Sequence, residues 1–207
     1  MDVTFPNSEV PFSHYQTCVS AQTTFGLRVN EMIEERSVIC KVISVLLQYP
    51  ERDLLESLPE LEDAVDEFSY SRAKDACDDF LAYLRTTPLL PLQEAYTRTF
   101  DLNPSTTLNL TFHECGDSRK RGAALADLNQ FYKSSGWEIS TGDLPDYLPL
   151  MLEFAYVSPE DDSSRLFDRF GSHITGLARR LRKRSSPYAG LLELLSMLSQ
   201  ETAKAGE

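Results

Sequence analysis

The sequence predicts an all-α fold, a single-domain multi-helix bundle. Three observations point there. Apolar residues recur at three- and four-residue intervals over most of the chain, and prolines fall where such runs begin or end. Only one short stretch alternates apolar with polar residues as a strand would. A length of 207 residues suits one domain with a full core, and 42% apolar with 25% charged residues is an ordinary soluble composition.

Taken in order, residues 1–30 are polar with scattered Pro, Ser and Thr, and are expected to form a loose arm before a helical domain at 31–200 and a flexible tail at 201–207. From about Asn30 to Gln48, the positions Val38, Ile39, Val42, Ile43, Val45, Leu46 and Leu47 cover most of a helix circumference. A helix apolar on nearly all sides belongs in the middle of a bundle. Pro50 stops it. Short acidic helices are expected between Glu51 and Phe68, broken at Pro59.

Ala73, Ala76, Cys77, Phe80, Leu81 and Leu84 then mark a helix that ends before Pro88. Pro91 suits the first turn of another, with Leu92, Ala95, Tyr96, Thr99 and Phe100 on one face. The stretch STTLNLTF, Ser105 to Phe112, alternates like a strand but also fits a helix through Leu108, Phe112 and Cys115. A lone strand without a partner segment would leave backbone groups unpaired, so helix is expected. Arg121, Leu125, Leu128 and Tyr132 step along a helix from about Ser118 to Ser134, with Asp117 as its N-cap and Gly136 as its stop. Pro145 and Pro149 belong near a further helix start that Asp143 or Asp146 can cap, with Leu148, Met151, Leu152 and Ala155 inward. The next helix opens with Ser158-Pro159-Glu160-Asp161-Asp162 and closes with RRLRKR, the arrangement its dipole favours. A last apolar helix runs from Tyr188 to Leu198.

Composition excludes several functions. No apolar run approaches the ~20 residues needed to span a bilayer. The N-terminus has neither the basic nor the apolar region of a secretory signal, so a cytoplasmic protein that is not membrane-embedded is expected. Cys18, Cys40, Cys77 and Cys115 lie at least 22 residues apart, which fits neither a redox pair nor a zinc knuckle. Cys40 and Cys77 fall in apolar stripes and are expected in the core. Net charge is −12, and residues 51–79 hold 3 basic against 11 acidic side chains, a balance of −8. Such a field disfavours nucleic acid and favours basic peptides, or serves only as a solvated surface.

Chemistry-bearing residues concentrate in HECGDSRKRG, 113–122. The phosphate-loop pattern is absent because no Lys-Ser/Thr pair follows the second glycine. A nucleophile–base pair of Cys115 and His113 lacks an orienting acid. A metal on His113, Cys115 and Asp117 needs a further ligand, and none stands out; neither a metal nor another cofactor is expected. A small metal- or thiol-dependent hydrolase centred on His113 and Cys115 is the enzyme alternative. Arg119, Lys120 and Arg121 oppose the helix dipole, which Arg121 can offset by pairing with Asp117 or with a carboxylate from another helix. Asp146, Leu150 and Glu153 line one face of the following helix. Two carboxylates there, beside apolar and aromatic residues, suit a peptide groove. Equally, Glu153 suits a structural ion pair with an arginine.

Five motifs in order carry a resemblance: LLQYP at 46–50, YTRTFD at 96–101, His-x-x-Gly-acid-Ser-Arg-x-Arg-Gly at 113–122, LPDYLPL at 144–150 and LEF at 152–154. From about Val38 to Leu198 the chain resembles the delta-subunit family of respiratory nitrate reductase, the molybdenum-cofactor assembly chaperones, related to those of trimethylamine-N-oxide and dimethyl-sulfoxide reductases. The resemblance implies an all-α chaperone without catalytic activity. It implies binding of the catalytic (alpha) subunit of nitrate reductase, or of another related molybdoenzyme, through its N-terminal segment, which resembles a vestigial twin-arginine signal. The client would be held in the cytoplasm until its molybdenum cofactor is in place, with cofactor-biosynthesis proteins as further partners. The implied peptide-contact positions are Gly116, Asp117, Arg121, Pro145, Asp146, Tyr147 and Glu153, to which the groove reading adds Leu150. Many relatives carry histidine where Tyr147 stands, which removes a proton-linked role and leaves stacking.

Overall fold

A computed structural model describes residues 24–140 and 142–205, and side-chain surroundings for 34–140 and 142–200. Ten α-helices follow one another: α1 Thr24–Leu46, α2 Arg52–Glu56, α3 Leu58–Asp66, α4 Ser71–Thr86, α5 Leu89–Tyr96, α6 Leu110–Cys115, α7 Arg119–Ser134, α8 Leu148–Val157, α9 Glu160–Lys183 and α10 Ala189–Ala205. A π turn, Thr97–Asp101, extends α5, and a 3₁₀ turn, Pro104–Thr106, precedes α6. Among the described residues there is no strand longer than a single bridge.

α8 is the central helix because its sequence leaves it no polar stripe: Leu148, Pro149, Leu150, Met151, Leu152, Phe154 and Ala155 are all buried. The second half of α1 packs along it, burying Ile39, Cys40, Val42, Ile43, Leu46 and Leu47. α9 and α10 form an antiparallel pair across this core, and α4 closes over α10. Two aromatic clusters fill the joints. Tyr188 stacks on Phe80 and Phe100, each with ring centroids 4.8 Å away, and Tyr132 packs on Phe154 and Trp137.

Several boundaries depart from expectation. α1 begins at Thr24, so the end of the expected arm is helical, while residues 1–23, including Cys18, lie outside the described residues. α10 runs on to Ala205 through most of the expected tail. The break between the acidic helices falls at Ser57, and Pro59 stands in the first turn of α3, where its missing N–H costs nothing. Gly136 ends α7 as expected: its φ of +77° is the left-handed conformation that lets Trp137 N–H reach back to Tyr132 O at 2.9 Å.

The ambiguous stretch divides. Helix begins only at Leu110, and the backbone before it is extended, with Asn109 in a single antiparallel bridge to Tyr147. Leu110 N–H donates to Asp146 O and Leu148 N–H to Leu108 O, both at 2.9 Å. The partner segment sought in vain along the sequence is thus the entry to α8. The alternation holds because Leu108 and Leu110 both turn into the core.

Cys40 and Cys77 are buried, and desolvation pushes each thiol up to about 12. A thiol reagent at neutral pH should therefore label half-buried Cys115 in the native protein and reach Cys40 and Cys77 only on unfolding. Mass mapping of the labelled sites checks this; native labelling of Cys40 at the rate of Cys115 would contradict the packing of α1 on α8.

Candidate functional site

The bridge between residues 109 and 147 sets Asp146 against the start of α6. α6 is only six residues long, and its N-cap Asn109 makes no side-chain cap. Its exposed N–H groups are met from another part of the chain. Asp146 Oδ2 accepts from Thr111 N–H at 3.1 Å and from the Thr111 hydroxyl at 2.5 Å. A carboxylate at the second helical position satisfies a donor and complements the helix dipole, as a local cap would.

Asp146 and Thr111 have no exposure to solvent. A buried carboxylate needs a counter-charge, and Arg121 from the first turn of α7 supplies it. Its Nη2 lies 3.4 Å from Asp146 Oδ2, its Nε donates to Thr111 Oγ1 at 3.3 Å, and its guanidinium sits over the Phe112 ring. Oδ1 has no protein partner, so compensation rests on the three donors at Oδ2.

This corrects two expectations and decides one alternative. Asp117 does not cap α7: it is exposed in the turn that Gly116 makes at φ +56°, and the N-cap is Ser118, without a side-chain bond. The α6–α7 turn takes three residues, Gly116 to Ser118, so the helix starts one position later. Asp146 does not cap α8, whose N-cap is Tyr147; it caps α6. Of the two partners available to Arg121, the structure selects Asp146 over Asp117.

The other predicted site residues spread around this knot. Pro145 O accepts from the Tyr132 hydroxyl at 2.8 Å. Tyr147 is half-buried, with its hydroxyl 3.0 Å from that of Tyr96. Tyr96 donates onward to Leu47 O at 3.2 Å, so Tyr147 is the donor to Tyr96. Burial raises both phenols, which stay neutral. Leu150 is buried. Glu153 turns to α1, where it pairs with Lys41 at 2.8 Å, a lysine in place of the arginine expected.

His113 is held on both ring nitrogens: Nε2 donates to Thr107 O at 2.9 Å, and Nδ1 lies 3.3 Å from Arg180 of α9, as acceptor. Burial, then the Arg180 and His173 charges, lower its pKa against the raising effects of Thr107 O and Asp146. With Nε2 held by Thr107 and Nδ1 tied to α9 through Arg180, His113 is not placed as a general base for Cys115. Among the described residues, no three His, Cys, Asp or Glu side chains gather as a metal site. Thr111 carries no sequence signal, since it stands at a polar position of the 108–112 alternation, and Tyr96 shows in the sequence only as a core-facing aromatic.

Asp146→Ala should destabilise the fold by about 3–5 kcal/mol, since it strands Arg121 and two donors at α6. Glu153→Gln should cost at most about 1 kcal/mol, because its ion pair is partly exposed and screened. Denaturant unfolding of both variants measures the difference. His113 has a folded pKa below its unfolded value, so its contribution is complete above about pH 6.5 and is lost as pH falls through the folded value. His113→Gln should remove that part of the stability loss between neutral and mildly acidic pH, read from melting temperatures of both proteins across the range.

Residues 66–193, from the end of α3 into α10, match the family model described as nitrate reductase delta subunit. The chain is 32% identical over 161 residues to the probable nitrate reductase molybdenum cofactor assembly chaperone NarJ of Bacillus subtilis, covering 78% of this chain and 88% of that protein. It is 34% identical over 161 residues to the probable chaperone of the same description, NarW, of Escherichia coli, covering 78% and 68%. It is 33% identical over 160 residues to the Escherichia coli chaperone NarJ, covering 76% and 68%. The Asp146–Arg121 knot joins two of the motifs quoted above, and all but the first of the five fall within the matched region. By family match and by similarity over most of its length, the chain belongs to the nitrate reductase delta subunit family.

Proposed function

We propose that this protein is a chaperone for the catalytic subunit of a membrane-bound respiratory nitrate reductase. It binds the apo-subunit through its N-terminal segment, holds it competent for molybdenum-cofactor insertion and complex assembly, and is not part of the final enzyme. It works in the cytoplasm as a binding protein rather than a catalyst, with cofactor-biosynthesis proteins as partners of the loaded complex. The observation that carries this reading is the similarity, over about three quarters of the chain, to proteins named as nitrate reductase molybdenum cofactor assembly chaperones. Among the described residues no helix is long and apolar enough to cross a membrane, which agrees with it.

On this reading the site residues divide the labour. Asp146 and Leu150 are buried and shape the receiving face without touching a client. Arg121 holds that shape through Asp146 and Thr111. Gly116, Asp117, Pro145 and Tyr147 reach the surface and are free to meet the peptide. Glu153, partly exposed beside Lys41, offers a carboxylate to a basic client residue at the expense of that ion pair. An extended or helical peptide laid across helix ends of this kind is a common recognition mode.

Purified chain should capture the catalytic subunit from cells blocked in molybdenum-cofactor synthesis, and lose most of it once the cofactor is supplied. Equal capture before and after loading would sink the holding role. If the acidic segment 51–79 steers a basic client peptide, affinity should fall and association slow as salt is raised. Calorimetric titration at low and high salt reads this; an affinity independent of salt removes steering from the reading.

A further inference from the structure

None of the predicted site residues lines the cleft where α5 and the π turn meet the chain leaving α1, a space of about 330 Å³. That volume suits one or two large apolar side chains. Its walls include Tyr49, Leu90 and Leu102, which are 41%, 64% and 75% exposed. Only two other large apolar side chains are comparably exposed among the described residues, Leu144 and Val157. Single exposed apolar residues are unremarkable, but three gathered around one concavity mark a contact surface.

The cleft is pre-formed. Gln93 Nε2 donates to Pro50 O at 3.0 Å, tying α5 to the end of α1, and Tyr49 stands edge-on to Tyr96 at 5.4 Å. Through the Tyr96–Tyr147 hydroxyl bond, the cleft connects to the entry of α8 and the Asp146 knot.

Charge supplies the partner's chemistry. Glu94 and Arg98 line the rim one helical turn apart, are exposed, and form no ion pair with each other or with any described residue. A pair at this spacing gains little by closing on itself, so each side chain is available to another molecule. Exposed Glu51 and Asp101 stand beside Tyr49 and Leu102 along the chain, and the stretch of net charge −8 begins there. The surrounding field therefore favours a cation at Glu94 over an anion at Arg98.

We propose that this cleft is the anchor point for a client segment that presents a large apolar side chain with a lysine or arginine beside it. The apolar side chain fills the space among Tyr49, Leu90 and Leu102, and the cation pairs with Glu94. This rests on the chaperone reading and names the sequence feature that reading leaves open.

The test uses the full chain and a synthetic peptide covering the N-terminal segment of the nitrate reductase catalytic subunit from the same genome, with affinity read by fluorescence anisotropy. Leu90→Glu and Leu102→Glu change exposed positions, and their melting curves verify that the fold is kept. Each should weaken the peptide roughly tenfold or more. Glu94→Gln should weaken it several-fold, and Arg98→Gln should leave it unchanged or tighter. Unchanged binding by both leucine variants, or a larger loss at Arg98 than at Glu94, overturns the proposal. Capture of the whole catalytic subunit is measured in parallel. If the unsubstituted chain captures it and the leucine variants bind the peptide like the unsubstituted chain, the cleft fails while the chaperone reading stands. If the unsubstituted chain captures nothing, the chaperone reading fails and takes the cleft with it.

Discussion

Asp146 places an ionisable carboxylate where no water reaches it, and the middle of the chain is arranged around the need to compensate it. Three donors converge on one of its oxygens: a backbone N–H and a hydroxyl from Thr111, and the guanidinium of Arg121. Each brings an element with it. Thr111 fixes the start of α6, Arg121 fixes the start of α7, and Asp146 itself fixes the entry to α8. A six-residue helix has too few internal hydrogen bonds to persist alone. α6 persists because its N-terminus is capped by Asp146, its preceding backbone is bridged to 146–148, and its His113 is tied to Arg180 of α9.

The same arrangement explains residues that look misplaced along the chain. Cations in the first turn of α7 oppose its dipole. For Arg121 the opposition is offset because its partner is a carboxylate beyond the helix start rather than within the helix. Gly116 adopts its positive φ so that the chain can turn from α6 into α7 within three residues, keeping Arg121 in reach of Thr111. An L side chain at 116 would be strained even though space surrounds it.

A second line of contacts runs from the knot to the far end of α1. Tyr147 donates to Tyr96, Tyr96 donates to Leu47 O, and Tyr49 stands against the Tyr96 ring. Three motifs distant in sequence, around 46–50, 96–101 and 144–150, thereby share one joint. Neutral phenols suit this position, since Tyr96 is buried, Tyr147 is half-buried, and each hydroxyl is bonded to another neutral group. The surface over the joint is apolar within an acidic protein, which is the character expected of a site for a basic, partly apolar segment.

Residue pattern alone determined the helical class, most helix limits and the core cysteines, because three- and four-residue periodicity and proline positions are local properties of the chain. It also marked 113–122 and 144–154 as the segments where polar and charged side chains gather at helix starts, and spacing spoke against a phosphate loop. What it left undecided was every pairing made at a distance. The partner strand for Thr107–Asn109, the helix that Asp146 caps, the choice of Asp146 over Asp117 for Arg121, and the lysine that meets Glu153 all join residues 25 to 112 positions apart. A cap or an ion pair looks the same in sequence whether its partner is local or remote, so only the tertiary structure, by burying Asp146 and bringing α6, α7 and the entry to α8 to one point, decided which residues pair inside the fold and which stay exposed.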